Sequence, residues 1–224
     1  MCGRYTSTTP PSLLAERFAV DEVRLDEDLA PRWNVAPTLA VLAVAESPSA
    51  GQRRLGTFRW GLVPSWAKDP SAGSKMINAR AETVAEKPAY RKALVKRRCI
   101  IPADAFYEWH DKRPHAIARR DGEPLAFAGL WEVWRNPNDP DRSPLRSCVI
   151  ITTQANDALA PLHDRMPVVL PPEAWDAWLD PKNGDVEQLQ AMLVPAPSED
   201  FVSWPVRPLV NKPVNEGPEL IEPL

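Results

Sequence analysis

The sequence predicts an α+β fold that is mostly antiparallel β-structure, with a few helices at its periphery. Eight apolar or alternating runs have the length and pattern of strands, whereas four segments have the pattern of helices. The 26 prolines are spread along the 224 residues and interrupt the apolar runs, which predicts many short elements joined by rigid turns. A hydrophobic content of 44% is enough to fill one core, so a single domain over residues 1–224 is expected.

The strand predictions rest on β-branched and aromatic residues and on alternation between turn-forming segments. In chain order, the predicted strands are residues 40–45, 55–60, 99–101, 105–110, 116–119, 125–134, 146–153 and 201–206. Alternation within strand 105–110 places Phe106 and Glu108 on one face and Tyr107 and Trp109 on the other.

The helix predictions rest on apolar spacing and on proline or polar residues at the start. The predicted helices are residues 12–18, 89–97, 172–179 and 185–193. The second helix has Pro88 at its first position, and Tyr90 and Leu94 lie one turn apart, so that both are expected to face the core.

Charge is distributed unevenly along the chain. The formal net charge is −3, but residues 166–224 carry −7 and residues 1–165 therefore carry +4. The second predicted helix holds a cluster without acids, which we call the basic cluster: Lys87, Arg91, Lys92, Lys96, Arg97 and Arg98. We expect these side chains to point outward, where they either attract a polyanion or form an ordinary solvated face.

Composition and motifs exclude several classes of protein. No stretch resembles a signal peptide or approaches the ~18 apolar residues of a membrane helix, so a soluble cytoplasmic protein is expected. Three widely spaced cysteines argue against a disulfide framework and a zinc site, and Cys99 and Cys148 lie in apolar runs that predict burial. Without metal-ligand spacings, a phosphate-binding loop or a nucleophile elbow, no metal and no other cofactor is expected.

Cys2 is the most informative residue, because removal of Met1 leaves a chain that begins with a 1,2-aminothiol. An α-amine has a pKa near ~7.7–8.0 and a thiol near ~8.5, so both are reactive close to neutral pH. The natural target is an aldehyde: the amine condenses to an imine, and the thiolate closes a five-membered thiazolidine ring on the same carbon. The alternative is that Cys2 merely follows the initiator residue.

Two further polar clusters carry candidate chemistry. Asn78 and Arg80 share one face if their backbone is extended, and they are suited to orienting a carbonyl and binding phosphate. The alternative is a turn with a surface ion pair between Arg80 and Glu82. Glu108 lies among aromatic residues that would raise its pKa and make it a general acid and base, unless it is a surface glutamate.

His163 and Trp66 are the remaining candidates. His163 lies among turn-forming residues beside Arg165 and is either a proton shuttle or an ordinary loop histidine, whereas His110 and His115 are expected to be exposed in a loop. Trp66 lies in a predicted loop beside a lysine, where an indole can stack on an unpaired base.

Seven blocks in this order, spanning nearly the whole chain, resemble the SOS response-associated peptidase (SRAP) family. They are Cys2-Gly3-Arg4-Tyr5 and residues 33–38 (WNVAPT), 60–64 (WGLVP), 78–83 (NARAET), 98–103 (RCIIPA), 106–109 (FYEW) and 162–167 (LHDRMP). The resemblance implies a barrel-like β core with helices outside it, and a positively charged groove for single-stranded DNA that contains an abasic site.

The resemblance also implies roles for individual residues. Cys2 would form a thiazolidine crosslink with the ring-opened abasic sugar, and Asn78 would position the reacting end of the chain. Glu108 would assist ring opening, imine formation and reversal, and His163 would share the proton transfers. The flanking phosphates would be held by three arginines, with two secondary contacts: Arg4, Arg80 and Arg165, then Trp66 and Thr152.

Such a crosslink would shield the site from strand cleavage, and β-elimination from the imine would give a weak lyase activity. The protein is expected to act as a monomer that associates with the nucleoid when it binds damaged DNA. Two other functions stay open: a cysteine peptidase that acts ahead of Cys2 with the help of Glu108 and His163, and a non-covalent single-strand binding module. The covalent hypothesis predicts that Cys2→Ser abolishes crosslinking but largely preserves DNA affinity, because the arginines supply the attraction.

Overall fold

The chain folds as a closed five-stranded β-barrel with a second sheet packed against one end. The computed structural model describes residues 2–26, 29–47, 51–139, 141 and 143–224, and Met1 lies outside them. The strands are β1 (Tyr5–Ser7), β2 (Glu22–Arg24), β3 (Arg32–Val35), β4 (Ala40–Glu46), β5 (Arg53–Trp60), β6 (Asn78–Arg80), β7 (Arg98–Ala103), β8 (Ala105–His110), β9 (Arg113–Arg119), β10 (Leu125–Trp134), β11 (Leu145–Gln154), β12 (Arg165–Pro167) and β13 (Phe201–Pro205).

The helices of the described residues are short. The α-helices are α1 (Pro11–Arg17), α2 (Arg91–Lys96), α3 (Trp175–Leu179) and α4 (Val186–Ala191). Single 3₁₀ segments occupy Pro70–Lys75, Pro172–Ala174, Ser198–Asp200, Pro208–Asn211 and Pro218–Leu220. Within the described parts of the chain, no helix is both long and apolar enough to cross a membrane.

The barrel follows the strand order β5-β4-β7-β10-β11, and these neighbours are antiparallel. A short parallel pairing between β11 and β5, with Ser147 opposite Arg59 and Cys148 opposite Trp60, closes the ring. Strands β6 and β12 pair with β11 at the end of the barrel where the second sheet packs. The predicted class, α+β with a barrel-like antiparallel core, is confirmed.

The second sheet has the order β13-β9-β8-β1-β3 and is antiparallel throughout. Asp111 and Lys112 connect β8 to β9 with positive φ angles of 49° and 66°, the conformation of a tight turn that matches strand twist. The two histidines near this turn belong to strands rather than to a loop: His110 ends β8 and is exposed, whereas His115 lies within β9 opposite Glu108 and is half-buried.

One apolar cluster joins the barrel interior to the second sheet. Tyr5 of β1 meets Trp60 edge-on, with ring centroids 5.3 Å apart, and Phe127 at 6.1 Å. Phe106 packs on Phe127 in the same way, at 5.9 Å. The aromatic rings therefore seal this end of the barrel and fix the N-terminal strand against it.

A second cluster lies between the outer face of the barrel and the helices. Tyr90 and Leu94 belong to it and are 6% and 0% exposed, which confirms the predicted inward face. The predicted helix start was wrong, because α2 begins at Arg91 and Pro88 lies in a preceding turn in which Lys87 O accepts bonds from two backbone N–H groups.

Arg98 corrects the predicted basic cluster. It is the first residue of β7 and is 2% exposed, with its guanidinium donating to three backbone carbonyls that include Trp178 O at 2.5 Å and Leu94 O at 2.6 Å. Arg97 is paired with Glu132 at 2.6 Å. The outward basic surface is therefore limited to the four remaining members of the cluster, because these two arginines serve internal contacts.

Candidate active site

The N-terminal segment enters the site as a continuation of β1. Tyr5 pairs with Phe106 of β8, and the ladder extends one step further because Tyr107 N donates to Arg4 O at 3.0 Å. This antiparallel register carries Gly3 and Cys2 along the C-terminal half of β8. The sheet thus delivers the start of the described chain to the sealed end of the barrel.

Cys2 is fully buried and is held by its backbone. Its carbonyl oxygen accepts a hydrogen bond of 2.8 Å from Asn78 Nδ2. Asn78 belongs to β6, which runs parallel to β11 with Asn78 opposite Ile150, so the amide is supported by the barrel wall. Burial raises the pKa of the Cys2 thiol, and the negative charge of Glu108 raises it further.

Glu108 lies on β8 and is 3% exposed. The predicted alternation is confirmed, since Phe106 joins the barrel cluster while Tyr107 and Trp109 pack on the opposite side. Burial raises the pKa of Glu108 to about 7, with a further increase from the charge of Asp164. A carboxyl group with this pKa exchanges a proton readily near neutral pH.

His163 has two polar contacts at the same ring nitrogen. Its Nδ1 accepts a hydrogen bond of 2.9 Å from Arg165 N and lies 2.8 Å from Asp164 Oδ1. The first contact requires the neutral ring with its proton on Nε2, and the second requires a proton on Nδ1. We assign the neutral form, because burial lowers the pKa of His163 and the Asp164 side chain is 85% exposed.

Four predicted catalytic residues therefore converge from distant parts of the chain. Asn78 bonds directly to Cys2, and the β1–β8 ladder brings Cys2 beside the half of β8 that carries Glu108. His163 lies two residues before Arg165 of β12, which pairs with β11, the strand that also pairs with β6 of Asn78. Among the described residues, no three His, Cys, Asp or Glu side chains are grouped as metal ligands. The site combines a buried thiol, an amide, a carboxyl group whose pKa is about 7, and an imidazole.

Arg165 borders this site and is already partnered. Its Nη1 and Nη2 atoms donate to the two carboxylate oxygens of Glu82 at 2.6 Å and 3.0 Å, and Nη2 also donates to Thr152 O at 2.6 Å. Thr152 is fully buried, so in this structure it supports Arg165 and offers no surface to a DNA strand. Glu82 pairs with Arg165, whereas the sequence had suggested an ion pair with Arg80.

The other predicted DNA contacts differ in exposure. Arg80 is exposed at the end of β6, in the extended conformation that places it on the same face as Asn78. Arg4 is half-buried, donates to Gly3 O at 3.0 Å, and has its pKa lowered by burial. Trp66 is 69% exposed in the segment between β5 and the 3₁₀ segment Pro70–Lys75, as its predicted loop position requires.

Sequence reasoning missed one residue of this site. Tyr5 is fully buried in the apolar cluster that also contains Cys2 and Cys148, and burial raises the pKa of its hydroxyl group. Among the described residues, Tyr5 Oη has no hydrogen-bond partner. The signal was its position three residues after Cys2, but alternation alone does not identify which strand will cover that side chain.

Comparisons with known proteins agree with the fold and the motif order. A family model described as SOS response associated peptidase (SRAP) matches residues 1–213. The chain is 46% identical over 227 residues to the abasic site processing protein YoqW of Bacillus subtilis (strain 168), covering 99% of each. It is 31% identical to the abasic site processing protein HMCES of Xenopus tropicalis, covering 89% of this chain and 66% of that one.

Solved structures share the architecture. A protein from Bacteroides thetaiotaomicron matches with a TM-score of 0.86 and 22% identity, covering both chains completely, which bears on the fold alone. A protein from Bordetella bronchiseptica matches with a TM-score of 0.76 and 28% identity, covering 92% of this chain and all of that one.

Proposed function

This chain belongs to the SOS response associated peptidase (SRAP) family, and we propose that it processes abasic sites in single-stranded DNA by forming a covalent crosslink through Cys2. The observation that carries the proposal is the placement of Cys2. Its carbonyl is held by Asn78, and its thiol lies within the electrostatic reach of a buried carboxyl group whose pKa is about 7. Two relatives are named abasic site processing proteins, which supports the choice of substrate.

The reaction begins once Met1 has been removed and the α-amine of Cys2 is free. The amine adds to the aldehyde carbon of the ring-opened deoxyribose and gives a carbinolamine. Glu108 donates a proton to the departing hydroxyl group, so that water leaves and a protonated imine forms. The Cys2 thiol then gives its proton to the Glu108 carboxylate, and the sulfur adds to the carbon of the protonated imine, so that the thiazolidine ring closes. The overall reaction releases one water.

Glu108 is suited to both proton transfers. In its neutral form it supplies the proton for dehydration, and as a carboxylate it accepts the proton of the thiol during ring closure. A carboxyl group at its ordinary pKa would rarely be protonated near pH 7, whereas the raised pKa of Glu108 makes both forms available. The same residue serves the reverse reaction, because reversal repeats these steps in the opposite order.

His163 is assigned the opening of the sugar ring. With Nδ1 accepting from Arg165 N, the neutral imidazole presents Nε2–H as a donor. That donor would hydrogen-bond to the sugar oxygen released on ring opening. If the imine instead loses the proton next to its carbon, the phosphate at the 3′ position departs and the strand is cleaved, which is the weak lyase reaction.

The DNA strand would be held mainly by charge and stacking. Arg80 is exposed beside Asn78, Arg4 precedes the β1 ladder, and Arg165 lies next to His163. Trp66 offers a largely exposed indole on which a base can stack. These contacts recognise phosphates and unpaired bases without sequence information, as expected for a protein that responds to a lesion.

The raised pKa of the Cys2 thiol favours the aminothiol mechanism over the peptidase alternative. A nucleophilic peptidase cysteine works as a thiolate and has a lowered pKa. Burial and Glu108 raise the pKa of Cys2. In the aminothiol mechanism the amine attacks first, and the thiol adds to an activated imine, so a protonated thiol is compatible with the reaction.

The test is a denaturing gel of the Met1-processed protein mixed with single-stranded DNA that carries one abasic site. Wild type should give an adduct that survives denaturation, and Cys2→Ser, Cys2→Ala and a form that retains Met1 should give none. Cys148→Ala is the matched control, because it removes a different buried thiol. An adduct of undiminished yield from Cys2→Ser would refute the covalent role of Cys2. Strand binding without any adduct in wild type would favour the non-covalent module.

A further inference from the structure

A carboxylate is paired with Arg165, one of the three arginines that are proposed to bind the DNA backbone. Glu82 forms a two-point contact with Arg165, at 2.6 Å and 3.0 Å. The pKa of Glu82 is lowered mainly by its hydrogen bond to Arg165, and the charge of Arg80 lowers it further. The Glu82 carboxylate therefore stays ionised and satisfies the guanidinium of Arg165 in the manner of an incoming phosphate.

The exposure of the pair indicates which partner can move. The Glu82 side chain is 47% exposed, whereas that of Arg165 is 11% exposed. Arg165 is also anchored from the other side by Thr152 O at 2.6 Å. The guanidinium is thus fixed with the carboxylate on its outer side. A phosphate could reach Arg165 only if the Glu82 side chain rotates into solvent.

We propose that Glu82 is an internal competitor for the DNA phosphate, and that it keeps the affinity for undamaged single strands low. This inference rests on the proposed function, since it concerns the same DNA strand. Undamaged DNA must displace the Glu82 carboxylate before its phosphate can contact Arg165. The net gain in binding free energy is therefore only the difference between the Arg165–phosphate contact and the Arg165–Glu82 contact. DNA with an abasic site meets the same barrier but is then retained by the covalent bond. Glu82 would therefore make retention depend on the lesion.

The opposite role for Glu82 makes a different prediction. If the ion pair orients Arg165 for catalysis, its loss should disturb His163, because Arg165 N donates to His163 Nδ1 at 2.9 Å. That effect would appear as a slower crosslinking step at saturating DNA. A competitor role predicts an unchanged crosslinking step and tighter non-covalent binding.

The experiment compares Glu82→Gln with Glu86→Gln. Glu86 is an exposed acid four residues away and forms no ion pair among the described residues, so its substitution reports the general effect of removing one negative charge. The probe is an undamaged fluorescent single strand, and its Kd is measured by anisotropy over a range of salt concentrations. Glu82→Gln should bind about fivefold to tenfold more tightly than Glu86→Gln. Its logarithmic salt slope should be steeper by about 0.7, the value for one added phosphate contact on a single strand.

The same proteins are then mixed with saturating abasic-site DNA, and the rate of adduct formation is measured. Equal rates for wild type and both variants support the competitor role, and a slower rate for Glu82→Gln alone overturns it. Equal or weaker strand binding by Glu82→Gln relative to Glu86→Gln also overturns it. If no protein forms an adduct but Glu82→Gln still binds more tightly, the crosslinking proposal fails and the competitor role stands. If none binds the strand, both fail.

Discussion

Burial controls the protonation of the two side chains that the proposed reaction uses most directly. The Cys2 thiol is kept protonated, and the Glu108 carboxyl group has a pKa of about 7. Both shifts follow from the loss of hydration of a charged form at the sealed end of the barrel. Glu108, which would transfer the protons in the reaction, is therefore buried at a cost to the stability of the folded protein.

Glu108→Gln should show that cost as a gain in stability. A group whose pKa is raised on folding stabilises the folded state fully below its unfolded pKa, and loses that contribution as the pH rises through the folded pKa. For Glu108 the window runs from its ordinary value to about 7. At pH 8 we expect the variant to be more stable than wild type by about 2–3 kcal/mol, and at pH 4 the difference should vanish. Denaturant unfolding at both pH values measures it.

The same variant should crosslink abasic-site DNA about 10²-fold to 10³-fold more slowly, because the proton transfers lose their donor and acceptor. Glu86→Gln, at an exposed glutamate without an ion pair among the described residues, is the control for a lost negative charge. If Glu108→Gln is more stable than wild type but crosslinks DNA at the wild-type rate, the raised pKa has no part in the reaction and Glu108 is not a catalytic residue.

Asn78 is expected to fix the orientation of Cys2 rather than to contribute to the affinity for DNA. Asn78→Ala deletes the donor to Cys2 O, so the reacting end of the chain should lose its fixed orientation. Because effective concentration depends on that orientation, the single-turnover crosslinking rate should fall about tenfold to 100-fold. The affinity for undamaged single strands should change less than twofold. A loss confined to affinity would contradict this positioning role.

Among the elements, the C-terminal segment supports the sheet that carries Glu108. Asn34 is fully buried in β3, and its Nδ2 donates to the carbonyls of Val210, Lys212 and Asn215 at 3.0–3.2 Å. Val210 in turn packs with Tyr107 on the back of β8. One amide therefore ties the end of the chain to the site-bearing sheet.

Asn34→Ala leaves three buried or half-buried carbonyls without this donor, and we expect a loss of about 2–3 kcal/mol of unfolding free energy. Proteolysis should then cut first within residues 206–224. Asn215→Ala is the matched control, because it removes an exposed hydrogen bond from the Asn215 side-chain amide to Leu209 O in the same segment. This change should cost less than about 1 kcal/mol of unfolding free energy. Equal destabilisation by both changes would argue against a specific clamp.

The long elements were predictable from sequence, and the short ones were not. Strands β8 and β10 agree with the predicted bounds because alternation or apolar character persists over six and ten residues. The strands β1, β6 and β12 each have three residues, too few to express a period, yet they deliver Cys2, Asn78 and Arg165 to the site. Their pairing depends on tertiary contacts that no local pattern encodes.

The candidate site was predictable as chemistry but only partly as geometry. The buried environment of Glu108 followed from its aromatic neighbours, and the value of Cys2 followed from its position. The partner of Glu82 did not follow, because Arg165 is 83 residues away in sequence whereas Arg80 is only two residues away. Arg98 was predicted to be a surface cation, because the neighbouring sequence does not indicate that three backbone carbonyls surround its guanidinium.

At the scale of the whole molecule, the parallel pairing between β11 and β5 closes the barrel. The charge of the chain is uneven, because residues 166–224 carry −7 and residues 1–165 carry +4. The net charge of −3 would suggest repulsion from DNA, but we expect the arginines around the site to attract the strand locally. We expect binding of undamaged single strands by wild type to weaken with salt, with a logarithmic slope of about −1.4 for the two phosphate contacts of Arg4 and Arg80, because Glu82 occupies Arg165. Arg80→Gln should reduce that slope by about 0.7, and a slope near zero would contradict electrostatic capture.

The most direct test of the central claim is to locate the bond between the protein and the DNA. Wild-type protein lacking Met1 is incubated with abasic-site single-stranded DNA, the adduct is digested with nuclease and protease, and the modified peptide is sequenced by mass spectrometry. The proposal predicts the deoxyribose remnant on the N-terminal Cys2 peptide, at the sum of the two masses less one water, and resistant to borohydride because no imine remains. A remnant on a lysine, on Cys99 or on Cys148, or an adduct that borohydride reduces, would contradict the thiazolidine mechanism.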